Sequence, residues 1–202
     1  MSEWLPKDYS KIEENEKEKA SASSGYMRFE EGENRFRILT KPIVGWVWWV
    51  DEDGEIVERG SRPKKGNKPV RIDMNTNMIP EQFENAKMFW AMQVWNYALE
   101  KAQILEITQI SIREEIQNLI KDEDWGDPTG YDIVVTRTEG EIVSYSVKPK
   151  PHKEFNKKGK TIPEVNLEAL YDGEDPYSYE GERSEDEDID VEEIIEDLDG
   201  KV

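Results

Sequence analysis

The sequence predicts a mainly β protein: a small barrel of five strand units, one helix between the third and fourth units, and disordered tails at both ends. Three observations predict it. Apolar residues alternate at period two through most of residues 34–147, the spacing that puts every second side chain on one face of a strand. A single segment in that region, near residues 111–120, carries a clear helical stripe. The charge is also unevenly distributed. The chain has 202 residues, 36% hydrophobic and 36% charged, with a net charge of -19. That is apolar-poor and charge-rich for one packed domain. Residues 172–202 hold 15 Asp/Glu against only Arg183 and Lys201, and residues 1–24 hold six acids and four lysines. Residues 25–171 hold 25 acids and 21 bases, so the body is close to balanced. The organisation expected is a flexible segment at 1–24, a domain at 25–152, a basic linker at 153–171 and an acidic tail at 172–202.

From Asn34 to Val50 the chain reads as strand. Phe36, Ile38, Val44, Trp46, Trp48 and Val50 fall on one face, predicted inward. Arg35, Arg37, Gly45, Val47, Trp49 and Asp51 fall on the other, predicted outward. Pro42 or Gly45 can introduce a bulge. Asp53-Gly54 is a hairpin turn signal, and the return strand begins at Glu55 and resumes at Pro69–Ile72. Residues 59–68 and 74–85 read as irregular. Met88, Trp90, Met92 and Val94 then form a wholly apolar parity, predicted inward. Phe89, Ala91, Gln93, Trp95 and Tyr97 form the outward one. Residues 103–108 read as strand. Ser111 with Glu114 resembles a capping box, and Ile112, Ile116, Leu119 and Ile120 form a core stripe. Residues 131–137 and 142–147 complete the strands, and few core formers follow Pro149. Short antiparallel neighbours with one helix in this position match the order of the five-stranded OB-fold, which closes its sheet into a barrel.

The outward parity is unusual for a solvated face because it carries Trp49, Phe89, Trp95 and Tyr97. Exposed aromatics need a partner, and a ring face stacks on any nucleic-acid base. Cations accompany them. Arg59, Arg62, Lys64, Lys65, Lys68 and Arg71 lie within residues 59–71 with no acid among them. Lys148, Lys150, Lys153, Lys157, Lys158 and Lys160 lie within 148–160 against Glu154 alone. Arg35, Arg37 and Arg137 lie on strands. Aromatics for bases and cations for phosphates point to an interface for single-stranded nucleic acid, expected at Arg35, Arg37, Trp49, Arg62, Lys64, Lys65, Lys68, Arg71, Phe89, Trp95, Tyr97, Arg137, Lys148 and Lys150. A tethered tail of charge -13 is expected to compete with a polyanion for such a surface. Within that tail Val191, Ile194, Ile195 and Leu198 share one helical face behind Asp190, as a partner-binding helix would.

Other chemistries find little support. The chain has no Cys and one His, His152, so no zinc centre, other metal or cofactor is expected. There is no P-loop or Gly-rich dinucleotide motif, and no catalytic residue is expected. Asp122, Glu123, Asp124 and Asp127 do not have calcium-loop spacing. A metal-carboxylate enzyme would have to draw on Asp73, Glu106 and Asp132. No signal peptide or apolar run of about 18 residues is present, so a cytoplasmic protein is expected. The alternative in a different class is an acidic adaptor or DNA mimic whose aromatic face binds a protein.

Two long stretches carry a family likeness. Phe36-Arg37-Ile38-Leu39 with Pro42-Ile43-Val44-Gly45-Trp46-Val47-Trp48-Trp49 resembles the first strand of phage-encoded single-stranded DNA-binding proteins. So does Phe89-Trp90-Ala91-Met92-Gln93-Val94-Trp95-Asn96-Tyr97 followed by Gln103-Ile104-Leu105-Glu106-Ile107-Thr108-Gln109. Asp122-Glu123-Asp124-Trp125-Gly126-Asp127-Pro128 and Tyr131-Asp132-Ile133 complete the likeness, which covers about residues 34–152. The resemblance implies an OB-fold that coats single-stranded DNA in phage replication, recombination and repair, in the host cytoplasm. It also implies an acidic C-terminal tail that recruits replication or recombination proteins. Relatives that carry a structural zinc hold it with Cys and His, which this chain cannot do.

Overall fold

The computed structural model describes residues 25–61 and 63–177. Among the described residues the protein is mainly β, with eight strands in one mixed sheet and two short α-helices. In chain order the strands are β1 (Tyr26–Met27), β2 (Gly32–Ile38), β3 (Ile43–Val50), β4 (Lys68–Asp73), β5 (Lys87–Asn96), β6 (Lys101–Ile107), β7 (Asp132–Thr138) and β8 (Ser144–Pro149). Helix α1 (Pro80–Asn85) precedes β5, and α2 (Ile110–Lys121) lies between β6 and β7.

The long strand expected over 34–50 is divided in two. Residues 39–42 leave the sheet, and Thr40 Oγ1 accepts the Gln93 N–H there at 3.0 Å. The alternation nevertheless continues across the break. Strand β2 pairs with the C-terminal half of β5, Arg37 opposite Trp95. Strand β3 pairs with the N-terminal half, Gly45 opposite Phe89. Gly45 is fixed by the approach of β4 on the other side of β3, because a Cβ there would stand 2.1 Å from the Ile72 carbonyl oxygen. Beyond Asp53-Gly54 the return is a single bridge, Val50 to Ile56, before β4 pairs along β3. Gly54 has φ 86°, the conformation the Asp-Gly turn requires.

Strand β5 is the spine, joined to β2 and β3 on one side and to β6 on the other, while β7 lies between β2 and β8. The inner core holds Phe36, Ile38, Met92, Val94, Leu105, Ile107, Ile133 and Val135, closed by Ile112 and Ile116 of α2. The inward parities of β2 and β5 are therefore as expected. Two details of α2 differ. It starts at Ile110 behind Gln109, so Ser111 is not its cap, and Ile120 is exposed. No pairing joins β6 to β8 among the described residues. Strand β1 runs parallel to β6 there, and Phe29 reaches Tyr145 of β8 at 6.1 Å between ring centroids.

The larger correction concerns the C-terminal end of the body. Residues 153–171, expected to be a linker, pack with 172–177 across the outer side of the sheet. Leu167, Ala169 and Leu170 are buried there in a short 3-10 turn, Leu167–Leu170. Leu167 and Leu170 join Val47, Phe89, Ala91 and Ile104 in a second apolar cluster. Tyr171 donates its hydroxyl to the Val44 carbonyl at 2.9 Å, and Tyr177 donates to the Gly25 carbonyl. Burial pushes the Tyr177 phenol up to about 12. The acidic-tail residues Asp190, Val191, Ile194, Ile195 and Leu198, residues 1–24 and Arg62 lie outside the described residues. No helix among the described residues is long and apolar enough to cross a membrane.

Candidate nucleic-acid interface

Residues directly opposite in an antiparallel pair project to the same side, so the pairing register fixes which side chains share a face. Arg37 lies opposite both Trp95 and Asp132. Arg35 lies opposite Val134, and Val134 opposite Lys148. Val47 lies opposite Lys87 and Arg71, and Trp49 opposite Pro69. By alternation Arg35, Arg37, Trp49, Arg71, Phe89, Trp95 and Lys148 all belong to the outer face. Trp46 and Trp48 belong to the other. Trp46 there packs against Phe83 at 5.7 Å and donates to the Met74 carbonyl at 3.3 Å.

Sharing a face does not make these residues equally accessible, and Phe89, Trp95 and Arg37, expected to face solvent, are buried. Phe89 is 0% exposed and Trp95 4% exposed, because residues 153–177 lie over them. Phe89 meets Tyr171 edge-on at 6.3 Å, and Trp95 meets Phe155 at 5.9 Å. Lys160 Nζ sits 5.3 Å from the Trp95 ring centre. Gln93, on the same parity, donates its side-chain amide to the Pro163 carbonyl at 2.7 Å. The outward rings of β5 are thus capped by the chain's own polypeptide.

Arg37 is also removed from solvent. Its Nε lies 2.6 Å from Asp132, and its Nη1 donates to the carbonyls of Lys153 (2.8 Å) and Thr129 (3.2 Å). Asp132 is the hub of this corner, accepting from Arg35, Arg37 and the Tyr97 hydroxyl at 3.0 Å. Burial alone raises a carboxyl's pKa. Here the hydrogen bonds from Arg35, Tyr97 and Arg37 outweigh it and hold Asp132 below its ordinary value. Arg71 is likewise engaged, its Nε 2.8 Å from Glu106. Arg137 lies on the inner parity with Ile133 and Val135, at a strand end, and pairs with Glu139 at 2.7 Å.

Two accessible patches remain on either side of the covering segment. On the β2–β7–β8 side, Arg35 keeps 46% of its side chain exposed and lies 4.4 Å over the Tyr97 ring. Exposed Lys148 is beside it in register across β7, and exposed Lys150, just past the end of β8, donates its backbone N–H to the Asp132 carbonyl. On the β3–β4 side is half-buried Trp49, with exposed Lys64 and Lys65 in the loop before β4; Lys68 lies opposite Val50, on the parity of Trp46 and Trp48, and so belongs to the other face. Lys87, exposed opposite Val47, directly precedes the outward parity of β5 and shares its face. Lys160 belongs to the basic run 148–160, but its place over Trp95, like that of Phe155, lies beyond the last strand, where sequence periodicity ends. Among the described residues no group of three or more His, Asp or Glu is arranged to hold a metal ion. Of the carboxylates considered for a metal site, Glu106 and Asp132 are occupied by arginines.

In comparisons with known proteins, no protein-family model, no curated protein and no solved structure matches this chain.

Proposed function

We propose that the protein is a sequence-independent single-stranded DNA-binding protein, non-catalytic, built on an OB-type barrel. The observation that carries this reading is the segregation of side chains by face. Trp49, Phe89, Trp95, Arg35, Lys87 and Lys148 are accounted for on one face, while the ordinary core rings occupy the other. Rings for stacking interleaved with cations for phosphates are what a strand of any sequence requires. The strand order supports the architecture: the β2–β3 unit pairs with β5 and β7, β5 pairs with β6, and α2 lies between β6 and β7. Coating of DNA during phage replication, recombination and repair, with an acidic tail that competes with DNA and recruits partner proteins, is the role that fits such a surface.

Tryptophan fluorescence during titration with oligo-dT tests the reading. Trp49→Ala should weaken binding by about 1–3 kcal/mol, the range for losing one stacked base. Trp46→Ala, on the opposite face, should leave affinity unchanged. The reverse pattern would place the interface on the other side of the sheet. A second reading, a protein-binding adaptor, is favoured by one observation: this face already accepts a polypeptide, residues 153–177, over Phe89 and Trp95. It predicts no saturable binding of oligo-dT at any salt concentration.

A further inference from the structure

We infer that Trp95 is the floor of a base-stacking subsite, and that Phe155 and Lys160 of the same chain occupy it until a DNA strand displaces them. The inference rests on the single-stranded DNA reading and specifies how that site is regulated. Residues 153–177 are not held uniformly. The end of the segment is anchored in the outer apolar cluster by Leu167 and Leu170. Its beginning is anchored by His152, stacked on Trp125 at 5.7 Å, and by the Lys153 amide bonded to the Gly130 carbonyl at 3.1 Å. Between these points, residues 154–162 make no backbone hydrogen bond to the body among the described residues. The internal bonds there are short-range ones, Lys160 N–H to the Lys157 carbonyl and Lys158 N–H to the Asn156 side chain. The middle of the segment is a flap fastened at both ends.

What holds the flap closed imitates what a nucleotide would supply. Phe155 offers Trp95 a flat apolar ring at 5.9 Å, as a base would. Lys160 places its ammonium 5.3 Å from the Trp95 ring centre and 5.7 Å from that of Phe155. Freed from the rings, the same ammonium is a phosphate partner. Displacement therefore exchanges one ring for another and one cation contact for another, and neither anchor has to be broken. Glu154, Asn156, Lys157, Lys158 and Gly159 are all exposed, while Phe155 also lies 5.8 Å from the buried Arg37 guanidinium, so opening brings a second cation within reach of the strand.

The test compares binding of oligo-dT by the full chain and by Phe155→Ala. A flap open about a tenth of the time lowers apparent affinity about tenfold, equivalent to about 1.4 kcal/mol. Phe155→Ala should therefore bind about tenfold tighter, and Phe155→Trp, with a larger occupant, should bind more weakly than the wild type. If the wild type binds oligo-dT and Phe155→Ala binds equally or less well, the flap inference is overturned and the DNA reading stands. If neither protein binds oligo-dT, the DNA reading fails and takes the inference with it. Should Phe155→Ala fail to fold by circular dichroism, tryptic cleavage of the wild type after Lys157 and Lys158 decides. Saturating oligo-dT should accelerate it, and unchanged or slower cleavage overturns the inference.

Discussion

Asp132→Ala removes the acceptor at the centre of the outer face. The wild-type side chains of Asp132 and Arg37 are 3% and 2% exposed, so the substitution leaves a guanidinium buried without its counter-charge. Breaking a buried pair from one side costs about 3–5 kcal/mol. Arg35 and Tyr97 lose an acceptor too, but both reach solvent and can rehydrate. With a urea m-value of about 2 kcal/mol/M, the unfolding midpoint should fall by about 1.5–2.5 M. Equilibrium urea denaturation followed by far-UV circular dichroism reads this directly. A midpoint within about 0.3 M of wild type would refute the claim that Arg37 is held as a buried charge, since such a shift is the size of a surface substitution. The pair also sets a pH dependence. Asp132's folded pKa lies below its unfolded value of about 3.9. Its contribution is therefore fully present above about pH 4 and lost as pH falls through the lower folded value. Asp132→Ala should flatten that acid limb.

Two further outcomes are expected. Leu170→Ala should destabilise the protein by about 2–5 kcal/mol in the same urea assay, because Leu170 is 2% exposed in the outer cluster; a change below about 0.5 kcal/mol would mean that residues 153–177 are a linker after all. Deleting residues 178–202 removes twelve carboxylates and leaves residues 153–177 intact, so it should tighten oligo-dT binding, most at low salt. The log–log salt slope of the truncated protein should be near about -3.5 if about five phosphates are neutralised.

Alternation made much of the face legible in the sequence. Arg37, Trp49, Phe89 and Trp95 were assigned to one side by period two alone, and the register puts them there. The Thr40–Pro42 interruption did not disturb it, because β2 and β3 meet the same strand on either side of the break. Accessibility was not legible, for two physical reasons. Leu167, Ala169 and Leu170 are few and scattered among charged residues, so no hydrophobic period announces that 153–177 packs. The burial of Arg37 depends on Asp132, 95 residues later in the chain, whose position follows from β2–β7 pairing rather than from any local pattern. Charge alone groups Arg137 with the outer cations. Its own parity, shared with Ile133 and Val135, assigns it to the inner face.

The central claim is that a DNA strand lies along the outer face of the sheet, and photocrosslinking with 5-iododeoxyuridine-substituted oligo-dT locates the strand most directly. The account predicts crosslinks at Trp49 and Tyr97, and at Trp95 once the flap has opened. Crosslinks confined to Trp46 and Phe83, or none above those given by an unrelated acidic protein, would contradict it.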